Sequence, residues 1–219
     1  MTEPDVITIV AQKGGAGKTT VATNLAVEAA RAGRRTLILD TDPQGSAVTW
    51  HDFRDLPYPE VRTSIPSRLA REIGGARDQG FDLIVCDTAG HTDTSMLAAA
   101  RMARLVIVPC RPQAVDMATV AMTLDVCQMA QTPPAILFNA APTRGHRQVD
   151  AARSMFAPAG IAVLPVILRQ RAAYAQAMSA GQAVSEFAPG SPAAAEVLAL
   201  FRTVETWPEP ALSLIARPS

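Results

Sequence analysis

The 219-residue chain has no run of about 18 apolar residues, so no membrane-spanning helix is expected. Its three cysteines, Cys86, Cys110 and Cys127, show no C-x-x-C spacing and are odd in number. That pattern points to a reduced, cytosolic setting, with no zinc or iron–sulfur site. Charge of one sign is also missing: 20 acidic residues balance 20 basic ones. Net charge therefore gives no sign of nucleic acid or of an acidic partner, although a basic face can hide inside a neutral total. No basic region precedes the first apolar stretch, which runs directly into a glycine turn, so that stretch is not read as a signal peptide. Lysine is nearly absent. Lys13 and Lys18 are the only two, five positions apart, and the other eighteen basic residues are arginine.

What is present is a globular composition, 48% hydrophobic and 18% charged. The length suits one domain with a substantial core, expected over residues 1–207, followed by a loose, proline-bearing tail at 208–219. Short apolar runs alternate with helical stretches. The runs are "VITIVA" (6–11), "TLILD" (36–40), "FDLIVCD" (81–87), "RLVIVP" (104–109), "PAILFNA" (134–140) and "IAVLPV" (161–166). Helices are expected at 19–32 and near 94–103, 115–130, 146–157, 170–180 and 191–204, with Gly33 as a left-handed C-terminal cap for the first. This alternation predicts an α/β fold with a mostly parallel central sheet and helices on both faces. "PYPEVRT" in the less regular stretch 54–66 is a further strand candidate.

The first run leads into "QKGGAGKTT" (12–20) and then a helix. A strand, a glycine-rich turn and a helix N-terminus form a phosphate cradle, because backbone N–H groups converge there and the helix adds partial positive charge. Gly14, Gly15 and Gly17 allow close approach; with Ala16, Lys18, Thr19 and Thr20 they are the candidate nucleotide-binding residues. Lys18 suits the β- and γ-phosphates, and the Thr19 hydroxyl suits Mg²⁺. Gln12 stands where the usual first glycine of the motif would fall, so the match is to the variant K-G-G-x-G-K-T. Lys13 is not needed for the cradle. It is either a solvated lysine or a cation that reaches a phosphate across a dimer interface, and a point charge on phosphate suits Lys better than Arg.

"KGGAGKTT", "DTDPQGSA" (40–47) and "VCDTAG" (85–90), in this order, resemble the ParA/MinD family of deviant Walker ATPases, most of all the small ParA-type partition ATPases. The resemblance covers nearly the whole chain. It implies a P-loop NTPase-like fold, ATP and Mg²⁺ as cofactors, and slow, partner-stimulated ATP hydrolysis. It makes Lys13 the signature lysine that crosses an ATP-bound homodimer. It also implies nonspecific DNA binding, a ParB-like or cargo-bound adaptor protein, a cytoplasmic setting with nucleoid association in the ATP state, and partition or positioning of a plasmid, chromosome locus or other cargo. The alternative is a MinD-like membrane-associated positioning ATPase. The C-terminal "WPEPALSLIARPS" lacks a basic amphipathic helix, which disfavours membrane binding. A carboxylate-activating synthetase and an iron–sulfur reductase are more distant rivals.

Asp40 and Asp42 follow the second strand and so belong to the sheet's carboxyl edge, where open α/β sheets bind ligands. By the resemblance, Lys13, Lys18 and Asp42 are the catalytic set, Asp42 orienting the attacking water. Asp40 and Asp87 join Thr19 at the magnesium site, residues 43–44 lie in switch I, and "TAGHTD" (88–93) forms switch II. The alternative for Asp42 is a cap on a helix starting at Pro43. His91 is read as a solvent-facing loop residue.

Asn139 ends its strand with one amide donor–acceptor pair that can read an adenine edge, a role the resemblance supports; a turn-forming Asn is the alternative. The resemblance also brings the backbone near Pro165 and Val166 to the nucleotide. Arg147, Arg153, Arg169, Arg171 and Arg202 are candidates for one DNA-binding face in the ATP dimer, gripping phosphates without reading bases, or else for an ordinary solvated surface.

Overall fold

The computed structural model describes residues 3–90 and 93–208. Seven strands form one sheet: β1 (Asp5–Ile9), β2 (Thr36–Asp40), β3 (Glu60–Thr63), β4 (Leu83–Asp87), β5 (Leu105–Cys110), β6 (Pro134–Ala141) and β7 (Ala162–Arg169). Their order is β3-β2-β4-β1-β5-β6-β7, and every pairing is parallel. All residues of β2, β4 and β5 are buried. That explains why these segments read as continuous apolar runs rather than alternating ones: both faces of a parallel sheet are covered. Pro165 lies in β7, an edge strand, where a missing N–H costs no ladder bond.

Nine α-helices are described: α1 (Lys18–Arg31), α2 (Ser46–Asp52), α3 (Leu69–Asp78), α4 (Asp93–Met102), α5 (Ala114–Ala130), α6 (His146–Phe156), α7 (Ala172–Ser179), α8 (Val184–Phe187) and α9 (Pro192–Glu205). One face of the sheet packs Ile7, Ile9 and Val85 against Val21 and Leu25 of α1 and Leu200 and Phe201 of α9. The other packs Val106, Val108 and Phe138 against Val120 and Val126 of α5 and Val149 and Phe156 of α6. The expected layering is therefore present. Gly33 follows α1 at φ 88°, the left-handed position expected of it.

Helix α3, the short helix α8 and the cap of α2 differ from the sequence expectation. Helix α3 was not expected, because Gly74 and Gly75 interrupt it. It forms because Leu69, Ile73 and Ala76, spaced one turn apart, bury against Leu37, Leu39 and Ile84. The cap of α2 is Gly45 at φ 61°, not Asp42. Asp42 Oδ1 instead accepts the Gln44 N–H at 2.9 Å, and the Asp42 carbonyl accepts Gly45 N–H, closing a turn ahead of the helix.

The chain leaves β1 toward one half of the sheet and later builds the other half from β5 onward. The loop after β1 thus occupies the crevice at the carboxyl edge, where the strand order reverses.

Candidate functional site

The β1–α1 loop borders a cavity of about 770 Å³. Gly14, Gly15, Gly17, Lys18, Thr19 and Thr20 form its floor. Asp42, Pro43, Gln44 and Ser46 close one side, with Ala89 and Gly90 after β4 and Ala175 and Met178 from α7 around the rest. The glycine loop, the segments after β2 and β4 and an element from the distant C-terminal third thus meet at one opening. His91 and Thr92 lie outside the described residues.

Four charges, those of Lys18, Asp87, Asp40 and Asp42, set the electrostatics. Lys18 is buried, and burial pulls its ammonium below the ordinary lysine value, opposed by the charges of Asp87 and Asp42. Asp87, at the end of β4, is fully buried, and neither carboxylate oxygen has a hydrogen-bond partner among the described residues. Burial pushes its carboxyl up to about 7; the Asp40 charge adds to this, while Thr19 and the Lys18 ammonium pull it down. Thr19 does so without completing a hydrogen bond of normal geometry. A buried carboxylate without a donor is costly unless a cation or ligand-borne water supplies the missing partner. Asp87 and the Thr19 hydroxyl are hard oxygen ligands of the kind Mg²⁺ takes, so the residues present fit that ion.

Asp40 is also fully buried, but its oxygens are engaged. Oδ1 accepts Asp42 N–H at 3.0 Å, and Oδ2 accepts Ala47 N–H at 2.9 Å and Val48 N–H at 3.2 Å. Burial raises its pKa, and these bonds oppose that rise. Asp40 therefore holds the turn and the first turn of α2 in place, and its second-layer support of a cation would pass through that turn. Asp42 is half-buried at the cavity wall, one oxygen held by Gln44 N–H.

Lys13 does not point freely outward. Its Nζ lies 2.6 Å from Asp116 Oδ1, in the first turn of α5 of the same chain. Arg111 donates to the Gly15 carbonyl at 3.3 Å. Sequence reading missed both Asp116 and Arg111: no local pattern ties a residue of the β5–α5 region to a loop one hundred positions earlier. Gly90, within the 88–93 segment that the sequence singled out, also bears on the lysine. A side-chain carbon there would sit 3.1 Å from Lys18 Nζ and 3.3 Å from the Gln12 carbonyl.

Asn139 meets the loop itself: Nδ2 donates to the Ala16 carbonyl at 2.8 Å. Pro165 is exposed and Val166 packs partly against the core; neither lines the cavity. The five arginines do not gather on one face of the subunit. Arg147 and Arg153 belong to α6 and Arg202 to α9, on opposite faces of the sheet. Arg169 donates to the Pro142 carbonyl at 2.7 Å, and Arg171 is bound to Glu196 at 3.0 and 2.6 Å. Arg153 donates to the Leu164 carbonyl at 3.4 Å, while Arg147 and Arg202 are exposed.

Residues 7–184 match the CobQ/CobB/MinD/ParA nucleotide binding domain. The chain is 30% identical to a maintenance of carboxysome distribution protein A from Gloeobacter kilaueensis, over 84% of this chain and 85% of that protein. It is 29% identical to the chromosome-partitioning ATPase Soj of Thermus thermophilus, over 86% and 90%. The cell division ATPase MinD of Pyrococcus furiosus superposes with a TM-score of 0.75 over 92% of this chain and 98% of that one; at 20% identity this shows a shared fold. The glycine loop, the unpartnered Asp87 and the all-parallel sheet thus agree with the similarity in sequence: the chain belongs to the CobQ/CobB/MinD/ParA family of nucleotide-binding domains.

Proposed function

We propose that the chain is a ParA-type ATPase that dimerises around ATP, binds DNA without sequence preference and positions an intracellular cargo with the help of an adaptor protein. The observation that carries this reading is the cavity where Lys18 and Asp42 meet the glycine loop, with the buried charge of Asp87 acting on Lys18 from behind it.

Hydrolysis of a phosphoanhydride needs positioning and charge neutralisation more than covalent chemistry. Lys18 supplies a buried positive charge to the β- and γ-phosphates, and the loop N–H groups and α1 N-terminus complete the cradle. Thr19 and Asp87, with Asp40 behind them, would hold Mg²⁺, which when bound neutralises phosphate charge. Asp42, fixed at one oxygen by Gln44 N–H, offers the other to orient the attacking water. Lys13 reaches the partner's nucleotide only by leaving or sharing Asp116, so ATP-driven dimerisation is coupled to rearrangement of that ion pair.

DNA contact rests on the exposed Arg147 or the exposed Arg202, which lie on opposite faces of the sheet, more than on Arg169 and Arg171, whose donors are already engaged within the chain. Two relatives named for carboxysome distribution and chromosome partitioning support a positioning role. The test is co-sedimentation with random-sequence DNA and with anionic liposomes, each with ATP, ADP or no nucleotide, across a salt series. ATP-dependent, salt-sensitive DNA binding is expected. Liposome binding in its place would move the protein to the MinD-like reading.

A further inference from the structure

Asn139 stands where the sequence suggests a reader of the base, yet its amide is turned onto the glycine loop. The residue is only 9% exposed. Its Nδ2 donates to the Ala16 carbonyl at 2.8 Å, and its Oδ1 accepts the N–H of Ala140 at 2.9 Å. Ala140 has φ 48°, an uncommon left-handed conformation for alanine. Gly17 closes on the same amide: it has φ 92°, and a side-chain carbon there would lie 2.1 Å from Asn139 Nδ2. Only a residue without a side chain lets the loop and the amide approach this closely.

The peptide between Ala16 and Gly17 is planar and trans, so its C=O and N–H point in opposite directions. Tying the Ala16 carbonyl to Asn139 therefore aims the Gly17 N–H away from Asn139. Gly17 lines the cavity and caps α1. We infer that Asn139 is a positioning residue for the phosphate loop, holding the Ala16–Gly17 peptide so that the loop presents an N–H, not a carbonyl, to a polyphosphate. A carbonyl in that place would repel the phosphate oxygens. This assignment rests on reading the cavity as a phosphate site, and it separates Asn139 from the base: its contribution falls on the triphosphate chain whatever nucleoside is attached.

The experiment measures affinities of the full chain for Mg-ATP, Mg-GTP and inorganic tripolyphosphate by calorimetry and competition, for wild type, Asn139→Ala and Asn139→Asp. Asp keeps the acceptor for Ala140 N–H but replaces the donor to Ala16 with an oxygen. Both variants are expected to bind ATP and tripolyphosphate about tenfold more weakly, by the same factor for the two ligands, and to leave the ATP-to-GTP preference unchanged. Amide exchange at residues 16–18 is expected to quicken while the rest of the domain keeps its protection. Asn139→Ser replaces Asn139→Ala if that variant does not fold. Unchanged tripolyphosphate affinity with a fall in ATP affinity or in base preference would overturn the inference in favour of base reading; unchanged affinity for all three ligands would overturn it outright. If wild type and Lys18→Ala alike bind neither ATP nor tripolyphosphate, the phosphate-site reading itself fails, a result distinct from the other two.

Discussion

Lys13 and Asp116 form a 2.6 Å ion pair across 103 positions of the same chain, the lysine side chain 39% exposed and the aspartate 7%. The early lysine of the glycine loop is thus held by its own subunit. Asp116 is the member that depends on the pair, because its carboxylate is the buried one. Truncating Lys13 removes the only charged partner described for it.

Lys13→Ala is therefore expected to lower stability by about 1–3 kcal/mol, the cost of an unsatisfied buried acceptor. The double variant Lys13→Ala/Asp116→Asn should regain most of the loss. Denaturant unfolding of the three proteins checks this; equal stability of wild type and Lys13→Ala would mean the pair contributes nothing. The double variant is also the cleaner probe of dimerisation, since it removes the lysine without leaving a buried charge behind.

Asp42→Ala should bind ATP close to normally and release phosphate at least about a hundredfold more slowly, the contribution expected of a positioned acid–base group. Among the described residues its side chain holds only the Gln44 N–H, so the turn before α2 keeps its Asp40 contacts and the fold survives. A phosphate-release assay under single-turnover conditions decides; normal turnover would remove Asp42 from the water-positioning role.

Gly90→Ala places a carbon 3.1 Å from Lys18 Nζ and 3.3 Å from a backbone carbonyl that cannot move away easily. The ammonium must shift, and ATP affinity should fall about tenfold, the worth of one charge-assisted contact. Calorimetry with ATP and a thermal melt separate this from unfolding. Unchanged affinity would show that Lys18 has room to adjust.

The cavity wall formed by residues 42–46 is anchored through α2 to the C-terminal third. Arg54, its side chain 3% exposed, binds Glu186 at 2.7 and 2.8 Å, donates to the Gly181 and Tyr58 carbonyls, and lies 5.0 Å from the Trp50 ring. Burial raises the Glu186 pKa, but the Arg54 and Ala183 N–H bonds outweigh it and hold the carboxyl below its usual range. A depressed carboxylate contributes stability above its unfolded value, here 4.5, which is lost as pH falls through the folded value. Wild type should accordingly lose stability below about pH 4.5 more steeply than Glu186→Gln. Arg54→Ala, which leaves Glu186 unpaired, should cost about 3–5 kcal/mol at neutral pH. Parallel acid profiles for wild type and Glu186→Gln would contradict this.

Much of the fold was legible because strand β1, the glycine loop and α1 carry their signals locally. Periodic apolar residues, glycines and a terminal cap lie within thirty positions. The continuous apolar runs of β2, β4 and β5 likewise announce burial on both faces. Helix α3 was hidden because Gly74 and Gly75 lower its local helix preference, and only contact with Leu37 and Ile84 repays that. The site divided in the same way. The loop residues and Asp87 were readable from motif and position. The partners that define their states were not, since Asp116 against Lys13, Asn139 against Ala16 and Glu196 against Arg171 are tertiary contacts between distant segments. The arginines show the cost most clearly: a count of basic residues cannot tell an exposed Arg147 from an Arg171 already bound to a carboxylate.

Light scattering of the purified protein with a non-hydrolysable ATP analogue, with ADP and without nucleotide tests the shared-nucleotide dimer most directly. The account predicts twice the 23.1 kDa subunit mass with the analogue alone, and a single subunit for the Lys13→Ala/Asp116→Asn variant under the same conditions. A subunit mass that stays at 23.1 kDa for wild type in all three states, or a variant that doubles as wild type does, would contradict it.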